Sequence, residues 1–387
     1  MSMIIDCDTH YFPPDAFDHI EGPLAERAPR LVFKGPNLQD IVFPDGPFAV
    51  AGATPLPAPG SGARYDGMSD AATRMSDYAG LGIARQLVLP QFTGWWSYGL
   101  EPALAVAMAH SWNVAMKRMA DEREGVYPVA LVALQDVGAS IAELRWAKEN
   151  GFPAVVIDYV YPAEGNTYGI PTACRREVWP FFAACEELDM PVFLHAVQHG
   201  HRLNNLLSFQ LDGLDIFTPS EPQMNLVALI TTGLLDRHPG LKIVHAEQGA
   251  GYIRPLAEWL DALHGPYVAA YELSEGVSAG WRRKLPAKAP QLVSREDASE
   301  KNRHLPSHYF RTNFYWTIET EEAELVDAID FVGADRFLFA TDYPHDDPGG
   351  LKKFEDVGLL AANPYLSEEV KEQLRWRNAA RVFNLPV

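Results

Sequence analysis

The sequence predicts an α/β fold, a distorted (β/α)8 barrel of TIM type, and three observations predict it. Short apolar runs recur along the chain and alternate with longer helical patterns, giving roughly eight strand–helix units. The runs are almost continuously apolar rather than alternating, the pattern of parallel strands covered on both faces. No Gly-x-Gly-x-x-Gly follows any of them, so the rival open, doubly wound sheet lacks its main signature. All 387 residues are read as one such domain, because barrels of this kind reach that length with insertions.

The first strand is Ile4-Ile5-Asp6-Cys7-Asp8-Thr9-His10. Residues two apart on a strand share a face, so Asp6, Asp8 and His10 point one way and Cys7 the other, into packing. Two carboxylates and an imidazole converging on one strand end are unfavourable without a charge partner. A divalent cation is one answer and a solvated edge strand the other. From about Tyr11 to Tyr65 runs a long insertion rich in Pro, Gly and Asp that still carries Leu31-Val32-Phe33 and Ile41-Val42-Phe43. It reads as a structured loop with room for a hairpin, and loops of that length are usually functional. Ser69 to Gly80 reads as a short helix with a serine N-cap and a terminating glycine.

The rhythm then sets in. Arg85-Gln86-Leu87-Val88-Leu89-Pro90 is the second barrel strand, and Glu101 to Asp121 a long helix. Tyr127 to Leu134, Ala154-Val155-Val156-Ile157, Pro191-Val192-Phe193-Leu194-His195 and Leu241-Lys242-Ile243-Val244-His245 supply strands three to six. Helices are expected at Ala139 to Asn150, about Arg176 to Leu188, about Glu221 to Leu235, and Gly251 to Leu263. A second insertion, polar and basic, runs from about Gly265 to Ser307 before the seventh strand. Tyr309 to Tyr315 is that strand, Glu319 to Val332 a helix, and Arg336-Phe337-Leu338-Phe339-Ala340 the eighth strand. Helices near Leu351 to Ala361 and Ser367 to Arg381 close the chain.

A net charge of −19 argues against a nucleic-acid backbone or an anionic membrane as partner. It leaves an anionic small substrate open, because a bound dication and a few arginines reverse the field locally. No run of about 18 apolar residues suggests a membrane span, and no basic region followed by an apolar stretch marks a secretory signal. Cys7, Cys174 and Cys185 have no zinc-type spacing and suit free thiols in a reducing cytoplasm. The expectation is a cytoplasmic protein.

In such a barrel the active site is built at the C-terminal ends of the strands. Strand one ends at Asp8-Thr9-His10, strand five at His195, strand six at His245 and strand eight at Thr341-Asp342. Asp8, His10, His195 and Asp342 form a mixed N/O donor set that suits Zn2+, Mn2+ or Fe2+, with no thiolate to favour a closed structural zinc site. Such an ion activates water or grips a substrate oxygen. His245 is read as a group that moves a proton at neutral pH; a fifth ligand or a satisfied core histidine is the alternative. Glu247 orients His245, contacts substrate, or is simply solvated. His199 and His201, after His195, are candidate contacts for an anionic substrate or else loop surface. Trp95, Trp96 and Tyr98, after the second strand, offer a stacking platform for a planar substrate or else packing or a subunit contact. His345 is a candidate to orient Asp342. Arg282-Arg283-Lys284 reads as a solvated basic turn.

Four stretches carry a resemblance: Asp6-Cys7-Asp8-Thr9-His10, Phe193-Leu194-His195-Ala196, His238-Pro239-Gly240-Leu241-Lys242-Ile243-Val244-His245, and Ala340-Thr341-Asp342-Tyr343-Pro344-His345. Their order and spacing resemble the amidohydrolase superfamily, in its branch containing aminocarboxymuconate semialdehyde decarboxylase, γ-resorcylate decarboxylase and 5-carboxyvanillate decarboxylase. The resemblance implies metal ligands at Asp8, His10, His195 and Asp342, catalytic roles for His245 and Asp342, and a supporting place for Asp6. It implies one divalent ion, Zn or Mn before Fe, no organic cofactor, and a homodimer or higher homo-oligomer. It also implies Arg254 as a carboxylate anchor that reaches a neighbouring subunit's site.

The activity so implied is metal-dependent, non-oxidative decarboxylation of a small aromatic or muconate-like carboxylic acid. Sequence physics alone supports equally a hydrolase of an amide or ester, or a hydratase, using metal-activated water. A metal-stabilised binding protein without turnover is the remaining class. Two departures stand out. Asp8 occupies a position where those enzymes have His or Glu. Gln248 stands where the aromatic-acid decarboxylases tend to place a glutamate, three residues after the strand-six histidine, with Glu247 displaced by one.

Overall fold

The computed structural model describes residues 3–34, 37–42, 44, 66–90, 101–157, 171–195, 220–273, 304–318, 320, 323–344 and 355–386. Within them, eight strands pair in chain order into one parallel sheet. These are β1 (Ile5–Tyr11), β4 (Arg85–Pro90), β5 (Val126–Leu131), β6 (Ala154–Ile157), β7 (Val192–Leu194), β8 (Ile243–His245), β9 (Phe314–Ile318) and β10 (Phe337–Phe339). The remaining two, β2 (Arg30–Lys34) and β3 (Asn37–Val42), form an antiparallel hairpin inside the first insertion. The first and last strands meet at a seam, where the His10 N–H donates to Tyr343 O at 2.7 Å and Thr9 bridges Tyr343 in parallel. The sheet is therefore a nearly closed barrel, and the predicted (β/α)8 architecture holds.

The strand sequences explain why it closes. Leu87, Val88, Leu89, Val155, Val156, Phe193, Val244 and Leu338 are fully buried, each worth roughly 1.5–3 kcal/mol over an exposed side chain. With helices outside and a filled interior, no polar face is left to write into the pattern. β1 departs from that rule. All seven of its residues are buried, Asp6, Asp8, Thr9 and His10 among them. A solvated edge strand is excluded.

Several boundaries differ from expectation. The helix read from Ser69 runs Ala71–Leu81, and Asp70 is its cap, accepting the Ala72 N–H at 3.1 Å; Gly82, at φ 72°, ends it. The seventh strand is Phe314–Ile318, because Tyr309 falls in the helix Pro306–Thr312. Pro306 opens that helix, at a position whose N–H has no helical partner in any case. The helix placed at Gly251 to Leu263 is Ile253–Leu273, so the second insertion begins later than Gly265. The helix begun at Glu319 is only Leu325–Val332. The closing segments are Asp356–Ala362, then Glu368–Glu372 and Asn378–Val382 joined through a π turn at Gln373–Arg377. Among the described residues no helix is long and apolar enough to cross a membrane, and Cys7, Cys174 and Cys185 are free thiols.

One glycine is required by packing at the seam. Tyr343 is fully buried and its hydroxyl donates to Asp77 Oδ2 at 2.6 Å. A Cβ at Gly67 would collide with that hydroxyl and stand 2.6 Å from the ring carbon bearing it. Gly67→Ala is expected to destabilise the fold by about 1–3 kcal/mol, measured by urea unfolding. An unchanged midpoint would refute this packing.

Candidate metal centre

Donor atoms from the ends of four barrel strands converge. Asp8 and His10 leave β1, His195 follows β7, Glu247 follows β8 and Asp342 follows β10. One donor atom each of Asp8, His10 and His195 lie within 4.8 Å of one another, and the same holds for His10, Glu247 and Asp342. Asp8 Oδ1 is 3.6 Å from His10 Nε2 and 3.5 Å from His195 Nε2. Asp342 Oδ1 is 3.2 Å from His10 Nε2, and Glu247 Oε2 is 3.6 Å from His195 Nε2. The two imidazole rings meet edge to face, their centroids 4.8 Å apart.

These separations fit a divalent ion. Ligands about 2.1 Å from a metal stand roughly 3.0–3.4 Å from their neighbours in tetrahedral or octahedral geometry. Asp8 Oδ1 is buried and accepts no hydrogen bond among the described residues. A desolvated carboxylate oxygen of that kind is unfavourable without a cation. Two imidazole nitrogens with three carboxylates form a hard, N/O-only set, suited to Zn2+, Mn2+ or Fe2+.

Neighbouring groups hold the donors in place. The Thr317 hydroxyl donates to the other Asp8 oxygen, Oδ2, at 3.1 Å and receives the Glu247 N–H at 3.4 Å. Glu247 and Asp342 sit at φ 54° and 51°; aspartate tolerates this left-handed region, whereas glutamate rarely occupies it. Strain of this kind gathers where a side chain must be aimed.

Asp6 is in neither donor group. Its carboxylate accepts the Thr341 N–H at 3.1 Å, the Thr341 hydroxyl at 2.5 Å and the Tyr78 hydroxyl at 2.9 Å. Burial pushes its pKa up to about 7, against the lowering effect of those hydrogen bonds.

Arg74 is a supporting residue that the sequence reading missed. Fully buried, it donates to the His10 carbonyl at 2.6 Å, to Gln86 Oε1 at 2.5 Å and to the Thr9 hydroxyl. The rings of Tyr343, Tyr78 and Tyr11 surround its guanidinium. It therefore grips the backbone of a donor residue. A signal existed, since Ala71, Arg74 and Tyr78, the buried stripe of their helix, follow helical spacing.

His245 belongs to neither donor group. It ends β8, fully buried, paired in register with Leu194 and Trp316. Those two residues directly precede His195 and Thr317, so His245 adjoins the centre. Its Nδ1 lies 2.6 Å from the Tyr252 hydroxyl, which also accepts the Trp316 indole N–H at 2.8 Å. Nothing in the sequence singled out Tyr252.

The other candidates separate clearly. Glu247, read above as a substrate contact or a partner of His245, falls instead in a group with His10 and Asp342 that could hold an ion. Arg254 lies on the outer helix Ile253–Leu273, where its Nε donates to Asp327 at 2.8 Å and its guanidinium packs on Phe331; within this chain it engages Asp327. His199, His201, Trp95, Trp96, Tyr98 and His345 lie outside the described residues.

Known proteins share this fold. The γ-resorcylate decarboxylase of Polaromonas sp. (strain JS666) is 27% identical over 266 residues, 66% of this chain and 69% of the relative. A dihydroxybenzoic acid decarboxylase of Polaromonas sp. JS666, solved with bound manganese and the inhibitor 2-nitroresorcinol, superposes with a TM-score of 0.64 at 19% identity, covering 100% of this chain and 98% of that one. The 5-carboxyvanillate decarboxylase of Novosphingobium aromaticivorans, solved with manganese and 4-hydroxy-3-methoxy-5-nitrobenzoic acid, gives 0.66 at 18%, covering 99% and 96%. The model of one family, described as amidohydrolase, matches residues 5–385. The chain belongs to the amidohydrolase family.

Proposed function

We propose that this protein is a metal-dependent decarboxylase of a small, hydroxylated aromatic carboxylic acid. The observation that carries the reading is the pairing of two kinds of group at one barrel rim. A five-residue N/O donor cluster stands beside a buried histidine, His245, that belongs to neither donor group. The γ-resorcylate decarboxylase relative supports the choice of carbon dioxide release over hydrolysis.

Asp8, His10, His195, Glu247 and Asp342 are the residues that would hold the ion. A bound divalent ion supplies Lewis-acid polarisation of a carboxylate or phenol oxygen. His245 delivers a proton to the ring carbon that bears the carboxylate. The bond from that carbon to the carboxylate then breaks, its electron pair restores the aromatic ring, and carbon dioxide leaves. His245 recovers its proton from solvent, and no oxidant takes part. Thr317, Arg74 and Asp6 hold the donors still throughout.

The test is product analysis in heavy water with manganese-loaded or zinc-loaded protein and 2,6-dihydroxybenzoate-type acids. Carbon dioxide release with one deuterium on the vacated ring carbon is expected. Isotopically heavy oxygen passing from water into the product, without carbon dioxide, would indicate hydrolysis or hydration and end the proposal.

A further inference from the structure

The resemblance puts ligands at Asp8, His10, His195 and Asp342, yet a further carboxylate stands among them. Glu247 groups with His10 and Asp342, and its Oε2 lies 3.6 Å from His195 Nε2. Its backbone is held at φ 54°, a conformation glutamate rarely adopts, and strain of this kind marks a side chain with a task. Five protein donors leave an octahedral ion one open position and a five-coordinate zinc none. An aromatic acid that grips through two oxygens therefore has no room unless one donor withdraws. Charge points the same way. Three carboxylates against a dication leave an excess negative charge in a largely buried site, and an added anionic acid would increase it. An acid that exchanges for one carboxylate leaves the balance unchanged.

We infer that Glu247 is a displaceable ligand: it completes the ion's surroundings in the resting protein and yields its place to the carboxylate of the incoming acid. This deepens, and rests on, the reading of the substrate as a carboxylic acid bound at this ion. The filled surroundings also limit water at the resting ion, and with it the hydrolytic chemistry that activated water would supply.

The other four donors are tied down. Asp8 is buried, and its second oxygen accepts the Thr317 hydroxyl. The His10 carbonyl accepts from Arg74, and the His10 N–H donates to Tyr343 O. His195 is buried and directly follows Leu194, which pairs with Ile157 on one side and His245 on the other. Asp342 and Glu247 are both partly exposed, but they are held differently. Asp342 lies between Thr341, whose N–H and hydroxyl donate to Asp6, and the fully buried Tyr343. Glu247 sits on the turn after β8, and its carboxylate stands on one more rotatable bond than an aspartate's. It is the donor with the reach to swing away.

The experiment measures Mn2+ affinity by calorimetry with and without 2,6-dihydroxybenzoate, in a His245→Asn background that leaves the acid unreacted. Glu247→Gln, which keeps the side chain's length and removes its charge, is compared with Glu247 intact. Without the acid, the substitution is expected to weaken Mn2+ binding about tenfold or more. With the acid saturating, the two affinities should agree within about twofold, because the side chain has already left the ion. By linkage the metal-loaded variant then binds the acid more tightly by the same factor. An Mn2+ affinity unchanged by the substitution in the absence of acid would make Glu247 no ligand. An equal loss with and without acid would make it a permanent one. Either result overturns the inference. Carbon dioxide is not the readout, so linked affinities in a protein that hydrolyses its substrate support this inference and refute only the decarboxylase reading. Carbon dioxide release by a protein whose Mn2+ affinity ignores the acid refutes only the inference.

Discussion

His245→Asn is expected to keep the metal and lose roughly a thousandfold or more of kcat. The reason is geometric. His245 is absent from both donor groups, whose atoms come from β1, β7, β10 and the turn after β8, so the ion's surroundings survive the change. Asparagine still offers a polar group toward the Tyr252 hydroxyl, which limits the effect on folding. What disappears is the imidazole, the proposed proton carrier. Elemental analysis and steady-state kinetics on the same preparation separate the outcomes. Loss of the ion would make His245 a ligand and dismantle its assignment as the proton carrier.

Asp342→Asn is expected to lower metal affinity, kcat/KM or both by roughly a hundredfold or more, with the apo-protein's melting temperature close to that of the parent apo-protein. The backbone argument is unusually favourable here. Asp342 sits at φ 51°, and asparagine tolerates the left-handed region as well as aspartate does. The chain path is therefore kept while one negative charge leaves a cluster in which Asp342 Oδ1 lies 3.2 Å from His10 Nε2. Full activity in the metal-loaded variant would sink the assignment.

The barrel was legible because its strands are buried on both sides and so carry unbroken apolar runs. The strand-end donors stood out for the converse reason: Asp8, His10, His195 and Asp342 are polar residues where such runs stop. Boundaries failed where residue types do not discriminate. Tyr309-Phe310 and Phe314-Tyr315 are equally aromatic, and only Pro306 hinted that the first pair begins life in a helix. Ser69 and Asp70 are both good caps, and backbone geometry chose the second.

Supporting residues were harder to read. Glu247 reaches the donors through a left-handed turn that glutamate does not advertise, and Tyr252 acquires its role only when β8 and β9 lie side by side. Arg74 is legible through helical spacing alone, provided a buried arginine is entertained. Each depends on contacts between segments far apart in the chain, which periodicity does not encode.

The hydrogen bonds from Thr341 to Asp6 join residues 335 positions apart, and Asp8 and Asp342 stand beside them, one in the first barrel strand and the other after the last. A chain still emerging from the ribosome therefore holds one side of the centre without the other. Closure of so long a loop comes late, because its entropy must be lost before any contact repays it. On the proposed reading, capture of an ion would act as a completion signal. It would favour molecules that have brought β1 and β10 together, and by mass action it would hold them closed. A copy that loses its last strand to truncation or proteolysis forfeits Asp342 and the seam together, so on that reading it would leave the metal-bound pool rather than persist as a half-active enzyme.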